Sequence, residues 1–131
     1  MYGFVLLRIV KLSLLIGLFL TGVLGAQAQQ AGQKDFSGAR LRALNKLTAE
    51  LVIIDTVVDS QAEFGSLTIV VRACRKPVNE EEDDSVAFLE IHDRAEENKR
   101  VFMGWMFASS PSLSALEHPL YDVWVEKCNT S

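Results

Sequence analysis

The chain has 131 residues, with 13 Lys and Arg against 17 Asp and Glu and a formal net charge of −4, a length that leaves room for one domain beside any targeting segment. No basic stripe interrupts it, and the longest charge run, residues 80–84, is acidic. A phosphate backbone rewards clustered Lys and Arg, so nucleic acid is not an expected partner. Two cysteines and two histidines give little material for a clustered metal centre.

Arg8 and Lys11 open a positively charged start, residues 12–24 form an apolar run broken only by the polar Ser13 and Thr21, and Ala26-Gln27-Ala28 supplies a small-x-small cleavage pattern. The expectation is a signal peptide over residues 1–28, cleaved after Ala28, and a mature protein in the periplasm. An uncleaved anchor is the weaker alternative, because a spanning helix needs about 20 apolar residues. Membrane contact is then expected only through the leader before cleavage. Arg8 and Lys11 leave with it, so the 13 basic residues fall to 11 while all 17 acidic residues stay, a net charge of −6.

Residues 29–39 are polar and glycine-containing and read as a disordered lead-in. From residue 40 to the end the chain reads as one β-rich domain. Residues 40–58 are ambiguous at first: Leu41, Leu44, Leu47 and Leu51 fit a helix face, while Leu41, Ala43, Leu47, Ala49, Leu51 and Ile53 fit a period of two. The β-branched cluster at 52–54 and 56–58 tips the balance to a strand from about Ala49, with a shorter strand and a turn at Asn45-Lys46 before it.

The next segments alternate more cleanly. In residues 67–74, Leu67, Ile69, Val71 and Ala73 share one face, with Thr68, Arg72 and Cys74 on the other. Residues 77–84 form an acidic connection. Residues 86–93 form a second strand with Ala87, Leu89 and Ile91 opposite Glu90 and His92, followed by a charged hairpin loop at 94–99. Residues 101–108 are apolar on both faces, which suits a central strand. Ser110 reads as an N-cap and Pro111 as the first residue of a helix of about two turns, ended by Pro119. The last strand runs over 121–127, with Tyr121, Val123 and Val125 alternating against Asp122, Trp124 and Glu126.

These elements predict a small antiparallel β-sandwich or open barrel with one short helix before the last strand. Cys74 and Cys128 lie in the exported part and are expected to form a disulfide. Its loop spans more than half of the mature chain, and chain entropy values it at about 4 kcal/mol.

Chemistry-bearing candidates are few. Glu80 to Asp84 lack the alternating ligands and turn glycine of a calcium loop, and His92 and His118 lack ligand spacing, so no metal and no cofactor are expected. Residues 109–122 (SSPSLSALEHPLYD) hold the densest group of reactive side chains. Glu117, His118 and Asp122 are the weak catalytic candidates, with Ser109 or Ser110 as nucleophile, but no G-x-S-x-G elbow accompanies them. Trp105, Phe107, Tyr121 and Trp124 surround this segment either as core or as a binding platform. Ser110, Glu117, His118, Tyr121, Trp105 and Trp124 are the residues expected to form a contact surface.

The order FGSLTIVVRAC (64–74), AFLEI (87–91) and VFMGWMFASSPSLSALEHPLYDVWVEKC (101–128) resembles the exported alphaproteobacterial proteins grouped as domain of unknown function 2155. The likeness runs from about Leu41 to Cys128 and implies a Gram-negative periplasmic setting. It brings no established activity and carries no catalytic residue over. Asn45, in LRALNK, departs from it where an acidic residue is the norm. The expectation is a non-catalytic binding or interaction module whose partner is an envelope protein or other envelope component. The alternative is a small hydrolase of an envelope polymer using Glu117, His118 and Asp122.

Overall fold

The computed structural model describes residues 32–78 and 84–130. The leader read over 1–28, the start of the lead-in and residues 80–83 of the acidic run lie outside the described residues. Among the described residues eight strands carry the fold: β1 (Gln33–Phe36), β2 (Gly38–Asn45), β3 (Glu50–Val57), β4 (Gln61–Phe64), β5 (Leu67–Pro77), β6 (Val86–Asp93), β7 (Lys99–Phe107) and β8 (Tyr121–Asn129). All pair antiparallel, in two sheets that do not close into a barrel. The larger runs β5-β6-β7, with β1 and β4 sharing the outer edge of β5; the smaller runs β3-β2-β8.

Residues 40–58 are the β2–β3 hairpin, which resolves the helix-or-strand ambiguity. Asn45 explains the turn: its Oδ1 accepts from the amides of Leu47 and Thr48 at 3.0 and 3.2 Å, an Asx-type device open to a short polar side chain. Ala49 completes the turn at φ 59°. From there one parity of each strand points inward. Ala39, Leu41 and Ala43 of β2 and Val123 and Val125 of β8 meet Leu67, Ile69 and Val71 of β5 and Ala87, Leu89 and Ile91 of β6 in one buried core. Each large aliphatic side chain so buried contributes about 1.5–3 kcal/mol.

Cys74 and Cys128 form the disulfide, 54 residues apart in sequence, and it ties β5 to β8 across the sandwich. Simple alternation puts Cys74 on the outer face, and the structure corrects this. A register shift between Val71 and Ala73 inserts Arg72 as an extra residue against β6, so Cys74 turns inward and is 1 % exposed. Beside the bridge, the Cys128 amide donates to the Ser85 hydroxyl at 3.1 Å.

Four further expectations change. The stretch read as a disordered lead-in holds β1 and the start of β2: β1 pairs with the far end of β5, Asp35 bonds Arg75 at 2.8 Å, and Phe36 packs against the core. That pairing joins residues about forty positions apart, which no local pattern reveals. The strand read over 67–74 continues as β5 to Pro77, into the stretch expected to start the acidic connection. The strand over 101–108 is β7, and it lies at an edge. Its second apolar face is explained by Trp105, packed edge-on against Phe88 at 5.4 Å. The two-turn helix is a single 3₁₀ turn, Pro111–Leu113, and Ser110 precedes it without a side-chain capping bond. Ser114 returns to extended geometry and Leu116 drops into the core at 4 % exposure, which pulls the chain out of the helix. Among the described residues no helix is long and apolar enough to cross a membrane.

Candidate functional site

Residues 109–122 connect β7 to β8, and the fold sorts their side chains into two environments. The first is a sealed polar node. His118 is 7 % exposed, and its Nε2 lies 2.8 Å from Oδ2 of Asp93, itself 2 % exposed at the end of β6. The His118 Nδ1 accepts from the amides of Leu120 and Tyr121 at 3.0 and 3.3 Å. Two donors on Nδ1 place the ring proton on Nε2, which donates to Asp93.

Asp93 is equally committed. It accepts from the Ser66 hydroxyl and, through Oδ1, from the Ala95 amide at 2.9 Å. Burial alone pushes its carboxyl up, but the hydrogen bonds from Ser66, His118 and Ala95 outweigh burial and hold it below the usual carboxylate range. Tyr121 closes the node. Its ring lies over His118 with centroids 5.1 Å apart, meets Phe64 edge-on at 5.5 Å, and its hydroxyl accepts from the Ser66 amide at 3.4 Å. Gly65 is required here twice: it sits at φ 54°, and a Cβ would collide with the Tyr121 ring and hydroxyl. Lys46 seals the outside by donating to the His118 carbonyl at 2.6 Å.

The second environment is open. A groove of about 290 Å³ runs between the 111–116 segment and β8, lined by Pro111, Ser112, Ala115, Leu116, Asp122, Val123 and Trp124. Leu113 in the same segment is 73 % exposed. The groove carries one ionisable side chain, Asp122, which Lys46 approaches at 3.4 Å. Glu117 is exposed and not among the lining residues.

The predicted residues are thus dispersed. Glu117 faces solvent, His118 and Tyr121 belong to the node, and Asp122 and Trp124 line the groove. Trp105 stands on the outer face of the larger sheet, with the Arg75 guanidinium 5.3 Å above its ring. Ser109 hydrogen-bonds Asp84, and Ser110 makes backbone turn bonds to Phe107 and Leu113. Asp93 and Ser66 were missed by sequence reasoning. The available signal was parity: Asp93 continues the inward row of Ala87, Leu89 and Ile91, and a carboxylate on that row needs donors. His92, the other histidine, lies in a polar depression of about 310 Å³ beside Glu90, Arg72 and Arg94, where Arg72 bonds Asp59 and Glu90, and Arg94 bonds Glu63. Among the described residues no three His, Cys, Asp or Glu side chains are grouped to hold a metal ion.

Fold and site together define a disulfide-tied, two-sheet β domain with a sealed polar seam and an apolar groove beside its last strand. Residues 39–128 match the family described as an uncharacterized protein conserved in bacteria, DUF2155, and the chain belongs to that family. It is 31% identical over 97 residues to Uncharacterized protein RP359 of Rickettsia prowazekii (strain Madrid E). The alignment covers 72% of this chain and 63% of that protein, so the chain spans less than two thirds of the curated relative's length. No solved structure matches it.

Proposed function

We infer that the protein is an exported, non-catalytic interaction module of the cell envelope, which captures a partner protein in the groove between residues 111–116 and β8. The observation that carries this reading is the sorting of side chains. The nitrogen atoms of His118 are consumed in the fold, while Pro111, Ala115, Leu116 and the half-buried Trp124 are left as an open apolar trough. Protein contacts are built on such features: an aromatic anchor, apolar walls and a sparse polar rim. Asp122, paired with Lys46, is the one ionisable side chain on that rim, which suits a partner that presents an apolar side chain beside a polar one. The apolar leader with its small-x-small site, and the disulfide, support placement in the periplasm.

The hydrolase reading gains no geometric support, because His118 is turned to Asp93 and Glu117 stands outside the groove. A photo-crosslinking residue at Ser112, introduced in cells, tests the binding reading. The expected result is a discrete adduct that disappears when Ala115→Arg fills the trough. Adducts no different from those formed at Arg100, on the exposed start of β7, would overturn it.

A further inference from the structure

The exposed strand edges of this fold are not treated alike. On the larger sheet, β1 and β4 are only four residues each, and β7 begins with exposed Lys99 and Arg100 and carries a register shift against β6. β8, one edge of the smaller sheet, is flanked by the 111–116 segment across the groove. These are ordinary protections against unwanted strand pairing. β3, the other edge of the smaller sheet, has an exposed charge only at its first residue, Glu50. It is eight residues long, pairs with β2 without a bulge, and contains no Pro and no Lys. Its acidic Asp55 does not guard the edge, because Arg40 of β2 holds it through two bonds of 2.8 and 3.0 Å.

Both faces of β3 are also incompletely covered. Leu51 and Ile53 on the outer row are 51 % and 54 % exposed, and the inward-pointing Val52 and Ile54 are only half-buried. By contrast Val123 and Val125, the inward row of β8, are 4 % and 1 % exposed. Among the described residues no strand pairs with this edge, and an edge so exposed is a template for pairing with another strand.

We propose that the neighbour is β3 of a second copy, so that two chains associate edge to edge across a two-fold axis at Val52 and form one continuous six-stranded sheet. The sequence of β3 fits itself in this register. With Val52 opposite Val52, Leu51 of each copy faces Ile53 of the other on the outer face, two apolar cross-strand pairs of the stabilising kind. Asp55 faces Ala49, and Glu50, exposed at the strand's end, faces Ile54, so no like charges are opposed. The arrangement is isologous and closed, giving a dimer rather than a filament.

Sedimentation equilibrium over a wide concentration range, on protein expressed from the full-length gene, tests this. The expected mass rises toward twice the chain mass. It stays at one chain mass for Leu51→Glu and for Ile53→Glu, whose new carboxylate lies opposite Arg42 in the β2–β3 register. Both variants are expected to keep the parent's thermal melt, since these side chains are half exposed. Ala115→Arg, in the groove, is expected to associate like the parent. A parent that remains at one chain mass throughout overturns the proposal, and so does self-association that survives both β3 variants or is abolished by Ala115→Arg.

Discussion

Two regions built from the same short connection, residues 109–122 and the start of β8, differ in almost every physical respect. The node around His118 is buried, polar and fully paired; the groove beside Trp124 is open, mostly apolar and carries a single carboxylate. Reactive residue types concentrated in one stretch invite a catalytic reading. The structure shows that the most reactive of them, His118, is spent on joining the two sheets. The residues left along the groove are mostly apolar.

The node also has a counterpart at the far end of the same strands. Cys74, Cys128 and Ser85 join the sheets where β5 and β8 end and β6 begins, and Ser66, Asp93, His118 and Tyr121 join them at the opposite ends. A small two-sheet domain is thereby fastened covalently at one end and by hydrogen bonds at the other.

This contrast predicts that the two regions respond oppositely to mutation. The largest effect is expected for His118→Ala, which leaves the buried Asp93 carboxylate without one of its three donors and takes the acceptor from two backbone amides. Breaking a buried pair of this kind costs about 3 kcal/mol, seen in a thermal or urea melt. Next comes Gly65→Ala, which forces a Cβ into φ 54° and against Tyr121, a destabilisation of about 2 kcal/mol. Both effects belong to the node, and a loss of less than 1 kcal/mol in either variant would break the comparison.

Acid sharpens it further. Asp93 is held below its ordinary, unfolded value. Its stabilising contribution is therefore complete above the usual carboxylate range and is lost as pH falls through the folded value. Asp55 and Glu126, lowered chiefly by hydrogen bonds from Arg40 and Arg42, act in the same direction. Stability is expected to fall on acidification, with a shallower acid slope in Asp93→Asn than in the parent, measured by melts across the acidic range. The smallest effect is expected in the groove. Ala115→Arg changes an exposed position and should move stability by no more than about 0.5 kcal/mol.

Much of the fold was readable in the sequence because it is written in period two. β6 falls over the residues expected, and β8 starts where expected, since each keeps one row apolar, Ala87, Leu89 and Ile91 in β6 and Tyr121, Val123 and Val125 in β8. Where the pattern failed, a non-local event intervened. The bulge at Arg72 reverses the phase of β5 and brings Cys74 inward, and only the pairing with β6 reveals it. β1 exists because β5 extends beyond Cys74 to receive it. β7 looked central because its outward row is apolar, yet Trp105 is covered by neighbours on its own sheet face. The site was half legible. Asp122, expected as a catalytic carboxylate, and Trp124, expected on a contact surface, both line the groove, whereas nothing local beyond the parity of its row marks Asp93 as buried. His118 was named for the wrong environment, since its partner lies 25 residues away in sequence.

Stability is assigned to the node, and the proposed partner binding to the groove. Crosslinking yield from a photoreactive residue at Ser112, compared between the parent and Ala115→Arg at matched thermal stability, tests that division directly. A discrete adduct is expected in the parent and its loss in the variant, while the melt stays unchanged. An adduct of equal yield in both proteins would contradict that division.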